Sequence, residues 1–301
     1  MKNFDFVANL KKMLIISLCI MLVGVACNVI FGTNLDISFK GGTEIRYEYA
    51  TAPDMDALTA LAKAKLGTNA TLNMDNVNSK DVVSIKLPGD IEETQKKAFV
   101  DQMNKDFASN QMKEYSYTTL SATMGTKFLL RCLLALALAA VLLVVYVGFR
   151  FRKIGGIKAG VSALIALLHD LLIVYFVFVI FGINLNDNFV AVMLTILGYS
   201  LNDTIVIFDR IRTLRRRSDA PLEDIVNDSL HAVMRRTIVT TATTCVAILA
   251  VLVVALAMNV DSIISFALPM LFGAISGSYS SLFLSGPIWV KWMQKGEAKK
   301  A

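Results

Sequence analysis

The sequence predicts a polytopic α-helical membrane protein, six membrane-spanning helices with a small α+β, ferredoxin-like domain inserted between the first and second. Three observations carry this. The 301 residues are 55% hydrophobic and only 18% charged, with a mean hydropathy of +0.58, too apolar for an ordinary soluble domain. Six stretches reach the roughly 20 mostly apolar residues that a helix needs to cross the hydrocarbon. The long polar segment after the first of them alternates strand-like and helix-like patterns.

The six stretches are Met13 to Phe31, Phe128 to Phe149, Lys158 to Phe181, Phe189 to Asp209, Ile238 to Met258 and Ser265 to Val290. Lys11 and Lys12 before the first resemble the start of a signal peptide. The apolar run is too long for one, and no clear cleavage site follows, so it reads as an uncleaved anchor. Basic residues sort the loops. Arg150, Arg152 and Lys153 form one cluster; Arg210, Arg212, Arg215, Arg216, Arg217, Arg235 and Arg236 dominate another. The loops from Gly182 to Asn188 and from Asn259 to Ile264 hold no Lys or Arg. By the positive-inside rule the basic loops and both termini are cytoplasmic and residues 32–127 lie outside. The net charge of +6 is thus topological and gives no reason to expect nucleic acid.

The expected division is residues 1–31 for the N-terminus and first span, 32–127 for the extracytoplasmic domain, 128–290 for spans two to six with a cytoplasmic loop at 210–237, and 291–301 for a basic tail. Within 32–127, Thr43 to Tyr49 reads as a strand and Asp54 to Leu66 as a helix opened near Pro53. Ala70 to Met74 and Val82 to Leu87 read as strands, Ile91 to Phe107 as a helix and Tyr115 to Leu120 as a closing strand. The order βαββαβ predicts a ferredoxin-like sheet with its helices on one face. In the 210–237 loop, Leu222, Ile225, Val226 and Leu230 follow Pro221 at helical spacing, predicting a short amphipathic helix on the membrane surface.

Cys19, Cys27, Cys132 and Cys245 all sit in apolar stretches without CxxC spacing, and with only His169 and His231 present no metal site is expected. The absence of a GxxxxGK[ST] string argues against nucleotide hydrolysis, and no enzyme activity or cofactor is expected. Chemistry points instead to acids inside the spans, where a carboxylate costs about 2.5–3.5 kcal/mol on insertion scales. Asp203 lies in the fourth span, with Tyr199, Asn202, Asp203 and Val206 on one helical sector predicted to face the bundle interior together. Desolvation favours the neutral acid and an adjacent cation the carboxylate, an opposition that suits a reversible proton carrier; the alternative is a structural hydrogen-bonding residue or a partly solvated helix end. Asp170, in the third span beside His169, either handles protons or orients a partner helix. Sequence neighbours on a helix do not face each other, so His169-Asp170 is not expected to form a dyad. In the fifth span Arg236, Thr240 and Thr244 share a face that is expected to meet the Asp203 helix, Arg236 serving either as ion-pair partner or as a snorkelling end residue. Gly273 and Gly277, and Gly156 and Gly160, form GxxxG pairs that permit close helix approach.

These residues also resemble a known family. Gly198-Tyr199-Ser200-Leu201-Asn202-Asp203-Thr204-Ile205-Val206-Ile207-Phe208-Asp209-Arg210-Ile211-Arg212 is similar to the GYSxNDTxVxxDRIR motif of the SecF family, components of bacterial protein export. Tyr146 to Phe151, His169-Asp170 and Arg236 to Thr240 are further matches, and Asp36 to Thr43, with Phe39, Gly41 and Gly42, resembles the family's DFxGGT-like element and marks a hinge candidate. Ser121 to Gly125 lacks the family's usual proline. The resemblance implies half of a bundle related to the resistance-nodulation-division transporters, the other half coming from SecD. It further implies a place in the bacterial inner membrane and partnership with the SecYEG translocon, with YajC as a further candidate, and with unfolded preprotein and membrane lipid. It places the membrane carboxylate at Asp203 and the fifth-span arginine at Arg236. With Asp170 these are the proton-coupling candidates, and Asn202, Thr204, Tyr199, Thr240 and His169 are the supporting polar residues. Rival readings are a small-molecule efflux half-transporter and a non-transporting scaffold. H⁺ and Na⁺ both remain open as coupling ion.

Overall fold

A computed structural model describes residues 4–67, 69–77, 80–258 and 260–298. Among the described residues, six helical stretches are long and apolar enough to cross a membrane. They are α1 (Leu10–Phe31), α5 (Ala122–Arg150), α6 (Gly156–Ile180), α7 (Asp187–Arg215), α8 (Leu222–Ala257), and α9 (Asp261–Ser280) continued by a π-helical turn (Ser281–Ser285) into α10 (Gly286–Ala298). α6, α7 and α9 form the centre and are the most buried, whereas α1, α5 and the apolar part of α8 present broad Leu, Val and Ile surfaces outward. Asn259 of the last loop, positions 1–3 of the N-terminus and positions 299–301 of the tail lie outside the described residues.

Between α1 and α5 lie α2 (Ile37–Lys40), β1 (Gly42–Glu48), α3 (Met55–Lys65), β2 (Thr71–Val77), β3 (Lys80–Leu87), α4 (Glu93–Asp106) and β4 (Lys113–Leu120). The strands form one antiparallel sheet in the order β2-β3-β1-β4, the ferredoxin-like order, with Ile45 opposite Ile85 and Tyr117. Period-two alternation decides its two faces. Ile45, Tyr47, Val83, Ile85 and Leu87 pack on Leu58 and Ala62 of α3 and Phe99 and Met103 of α4. Glu44, Arg46, Ser84 and Lys86 point the other way and, with Asn184, Asn186, Asn188, Ser262 and Ser265 of the bundle among others, line a polar cavity of about 410 Å³.

The joint between sheet and bundle has little slack. Leu35 bridges Leu185, with Asp36 N donating to Leu185 O (2.9 Å) and Leu185 N to Asn34 O (2.8 Å). The buried Asp36 carboxylate caps α2 through Ser38 N (3.2 Å) and accepts from Lys86 Nζ (2.6 Å). Phe39 is buried with its ring 5.7 Å from Phe128. Gly41 has φ +81°, and a Cβ there would stand 2.5 Å from Ala122 Cα; one on Gly125 would stand 2.9 Å from Phe39 O. Phe39 and Gly41 therefore form a packed seat for the first turn of α5, which Ser121 caps in place of a proline, while Asp36 is bonded to Lys86 and Gly42 lies against the Leu87 carbonyl.

The predicted surface helix is corrected. α7 runs on to Arg215 and α8 starts at Leu222, so the 210–237 loop shrinks to residues 216–221 and the amphipathic stretch is the first part of a 36-residue helix. Nothing between Leu222 and Ile238 breaks a helix, and this part of α8 is gripped on two sides. Asn227 Oδ1 accepts from Phe6 N (2.9 Å) and Val7 N (3.3 Å), with Phe6 and Val7 both buried, and Glu223 accepts from Lys291 Nζ (2.6 Å) and Gln294 Nε2 (2.9 Å) of α10.

These contacts can be tested at two glycines and at two carboxylates. Gly89 has φ +94° with nothing within 4 Å of the place a Cβ would occupy, so Gly89→Ala costs only backbone strain, about 1 kcal/mol, in a thermal unfolding assay in detergent. Gly41→Ala adds overpacking against α5 and costs roughly 1–3 kcal/mol more. The carboxylates respond to acid. The Lys291 and Gln294 hydrogen bonds hold Glu223 below its usual 4.5, and the Ala8 backbone bond together with Asn227 holds Asp5 below its usual 3.8. Depressed carboxylates contribute stability above their unfolded values and lose it as pH falls through the folded ones. Hydrogen exchange at residues 4–9, where Asp5 is the depressed group, should therefore be protected at about pH 6 and lose that protection as the pH falls below 3.8.

Candidate functional site

An acid inside an apolar bundle needs donors from the protein, because neither lipid nor water supplies them there. Asp170, on α6, is 0% exposed and is fully met. Ser276 Oγ of α9 donates to Oδ1 (2.6 Å), Ser280 Oγ of α9 to Oδ2 (2.7 Å) and Ser200 Oγ of α7 to Oδ2 (2.6 Å). His169 Nδ1 lies 3.2 Å from Oδ1 and 3.4 Å from Ser276 Oγ. The expectation that His169 and Asp170 would not meet is corrected: the two side chains converge because both turn toward α9, where Ser276 stands between them.

Glycine makes these distances possible. A Cβ on Gly273 would lie 2.7 Å from Ile196 and one on Gly277 3.0 Å from Ser200 Cβ, so only glycine lets α9 come this close to α7. Past Ser280 the helix widens into the π turn, and Ser281 Oγ donates to Ser200 O (3.1 Å) while bonding Thr204 Oγ1 (2.9 Å). Such turns concentrate at functional sites.

Asp203 is the opposite case. It is 7% exposed, its Oδ2 is sealed without a hydrogen-bond partner, and among the described residues no side chain bonds it at all. Arg236 on α8 is near enough for its charge to act on Asp203, yet no ion pair forms. The predicted sector does not turn inward as a unit. Ser200, Asp203 and Thr204 are buried, Tyr199 and Val206 are half-buried and Asn202 is exposed, because the buried face of α7 is centred on Ser200, Thr204 and Ile207, and Asn202 lies beyond its edge.

The α8 stripe is corrected likewise. Thr237 and Thr241, one position on from Arg236 and Thr240, are the buried pair that meets α7, with Tyr199 Oη donating to Thr241 Oγ1 (3.2 Å). Arg236, Thr240 and Thr243 are exposed. Thr240 returns its hydroxyl to the Arg236 carbonyl and Thr243 to the Val239 and Thr240 carbonyls, so their hydroxyls are satisfied without a neighbouring helix. At the end of α7, Asp209 Oδ1 accepts from Arg150 (3.3 Å) and Arg212 (2.5 Å), stapling α5 to α7. Among the described residues no group of three or more His, Cys, Asp or Glu is placed to hold a metal.

The residues that sequence reasoning missed are the serines. Ser276, Ser280, Ser281 and Ser285 recur as two pairs four apart in an apolar span, with Gly273 and Gly277 interleaved. That pattern of small and hydroxyl residues was the available signal.

Fold and site together define a six-span membrane protein with an inserted ferredoxin-like domain and two unlike carboxylates in its helical core. Residues 99–295 match the family model for the C-terminal part of the protein export membrane proteins SecD and SecF. The chain is 33% identical over 297 residues to protein translocase subunit SecF of Thermobaculum terrenum, covering 93% of this chain and 91% of that one. It is 28% identical to protein translocase subunit SecDF of Bacillus subtilis, covering 99% of this chain but 39% of that longer one. The crystal structure of SecDF, a translocon-associated membrane protein from Thermus thermophilus, superposes with a TM-score of 0.78 at 25% identity, over 97% of this chain and 39% of that one. The chain belongs to the SecF family.

The two acids predict unequal stability effects. Asp170→Ala strands three hydroxyls and should cost at least about 3 kcal/mol in a detergent unfolding assay. Asp203→Asn removes no hydrogen bond and should cost clearly less than Asp170→Ala in the same assay.

Proposed function

We propose that this chain is the SecF subunit of the Sec export machinery and that, with SecD, it uses the proton-motive force to promote preprotein movement through SecYEG, Asp203 being the proton carrier. The observation that carries this is the contrast between the two acids. Both oxygens of Asp170 are occupied by donors, so a proton arriving there must displace a bond. Asp203 is buried, uncommitted and within reach of the Arg236 charge, so it can take or release a proton without breaking a bond. One charge crossing 100 mV releases about 2.3 kcal/mol, about 50-fold in an equilibrium.

The basic loops set the orientation: termini and the 216–221 turn cytoplasmic, the sheet domain outside the inner membrane, where it meets emerging preprotein. Asn202, Thr240 and Thr243 are polar and exposed within the spans, a face that suits the SecD half of the bundle better than lipid. YajC is a further candidate partner. In inverted vesicles carrying the SecD–SecF pair with SecYEG, Asp203→Asn should abolish gradient-stimulated export and leave gradient-independent export intact. Export that still responds to the gradient in this variant excludes the assignment. The efflux reading instead requires the gradient to drive small-molecule uptake into these vesicles, and the scaffold reading requires Asp203→Asn to be silent.

A further inference from the structure

The Asp170 network does more than fill a polar gap, because its hydrogen bonds have a direction. Ser281 has one hydroxyl proton and gives it to Ser200 O, so Thr204 must be the donor in the Thr204–Ser281 bond. Ser200 in turn donates to Asp170, as does Ser280. None of these hydroxyl protons goes to Asp203: Ser200 and Ser280 give theirs to the α6 carboxylate, Thr204 to Ser281, and Ser281 to the Ser200 carbonyl. Ser200 and Thr204 lie one turn apart on α7, and Asp203 lies between them in sequence. The segment of α7 that carries Asp203 is thus held at both ends by Ser281, the first residue of the π turn, and at Ser200 also through Asp170, the acceptor that Ser200 shares with Ser280 of α9.

We infer that Asp170 is a positioning residue for Asp203: as the common acceptor it fixes the register of α7 on α9, and this register sets the proton affinity of Asp203. The inference rests on the reading of Asp203 as the proton carrier and goes beyond it by assigning the third-span acid and the α9 serines. The titratable or charged groups that face these two acids are His169 of α6 at Asp170 and Arg236 of α8 at Asp203; α7 and α9 present only hydroxyls to Asp170. Asp170 therefore acts through geometry and not as a second carrier.

The test is infrared titration of the SecD–SecF pair in lipid, following the carbonyl stretch of a protonated buried carboxylic acid, with Asp203→Asn identifying the band. Ser280→Ala and Thr204→Val should each change the proton affinity read from that band by about three- to tenfold, and Ser280→Thr, which keeps the hydroxyl, should restore it. Thr204→Val leaves every donor to Asp170 in place and so reads the link itself, even if Ser280→Ala proves unstable. Midpoints that stay within about twofold of the parent in both variants, with only the unfolding temperature lowered, would overturn the positioning role. A parent protein with no band removed by Asp203→Asn would overturn the carrier assignment instead, so the two failures are distinguishable.

Discussion

A carboxylate enclosed by apolar helices has to be answered by donors from other helices, and in this protein that requirement at Asp170 organises the bundle. Three hydroxyls from α7 and α9 reach it within 2.7 Å, which is possible only if the three helices approach more closely than larger side chains permit. The glycines at 273 and 277 and the serines at 276, 280 and 281 therefore belong to one solution. Breaking any part leaves polar groups unmet where water cannot reach, a far larger cost than losing a hydrogen bond at a surface. The outer helices α1 and α5 carry no such obligation, and their broad aliphatic surfaces suit lipid or a partner.

Against that fixed centre the second acid is conspicuous for what it lacks. Asp203 is held in place by its helix and not by its own bonds, so its carboxyl group is left free to change state while its position is determined by neighbours. In the proposed reading, separating the group that titrates from the group that positions lets one bundle be both rigid and responsive. The sheet domain is joined on similarly firm terms: Asp36, bonded to Lys86 of the sheet and to Leu185 of the α6–α7 loop, and Gly41, lying against the first turn of α5, leave little room for independent motion. A change in α6, α7 or α5 is thereby passed to the sheet.

Much of the architecture is legible in the chain because it rests on periodicities that a sequence carries locally. Six apolar runs give six spans, and the alternation in Thr43 to Tyr49 and Val82 to Leu87, with a helical stretch after each, gives the ferredoxin-like sheet. Asp203 stands out because a charge in an apolar window is rare. The serine network is illegible for the opposite reason: serines are common in membrane helices, and a bond joining residue 170 to residue 276 has no local signature. The stripes on α7 and α8 fall one residue away from their expected places because helical spacing fixes which residues share a face and not which face turns inward. The continuous α8 is hidden because a run of basic residues reads as a loop, although it contains no helix breaker. His169 and Asp170 meet through side-chain rotamers, which spacing rules do not see.

The central claim is that Asp203 exchanges protons and that this exchange drives export. Its most direct test is to impose ΔpH and ΔpNa separately across vesicles containing the SecD–SecF pair and an arrested preprotein in SecYEG, and to time completion of transport. Proton exchange at Asp203 requires that ΔpH alone speeds completion and that ΔpNa alone has no effect; acceleration by ΔpNa with none from ΔpH would contradict it.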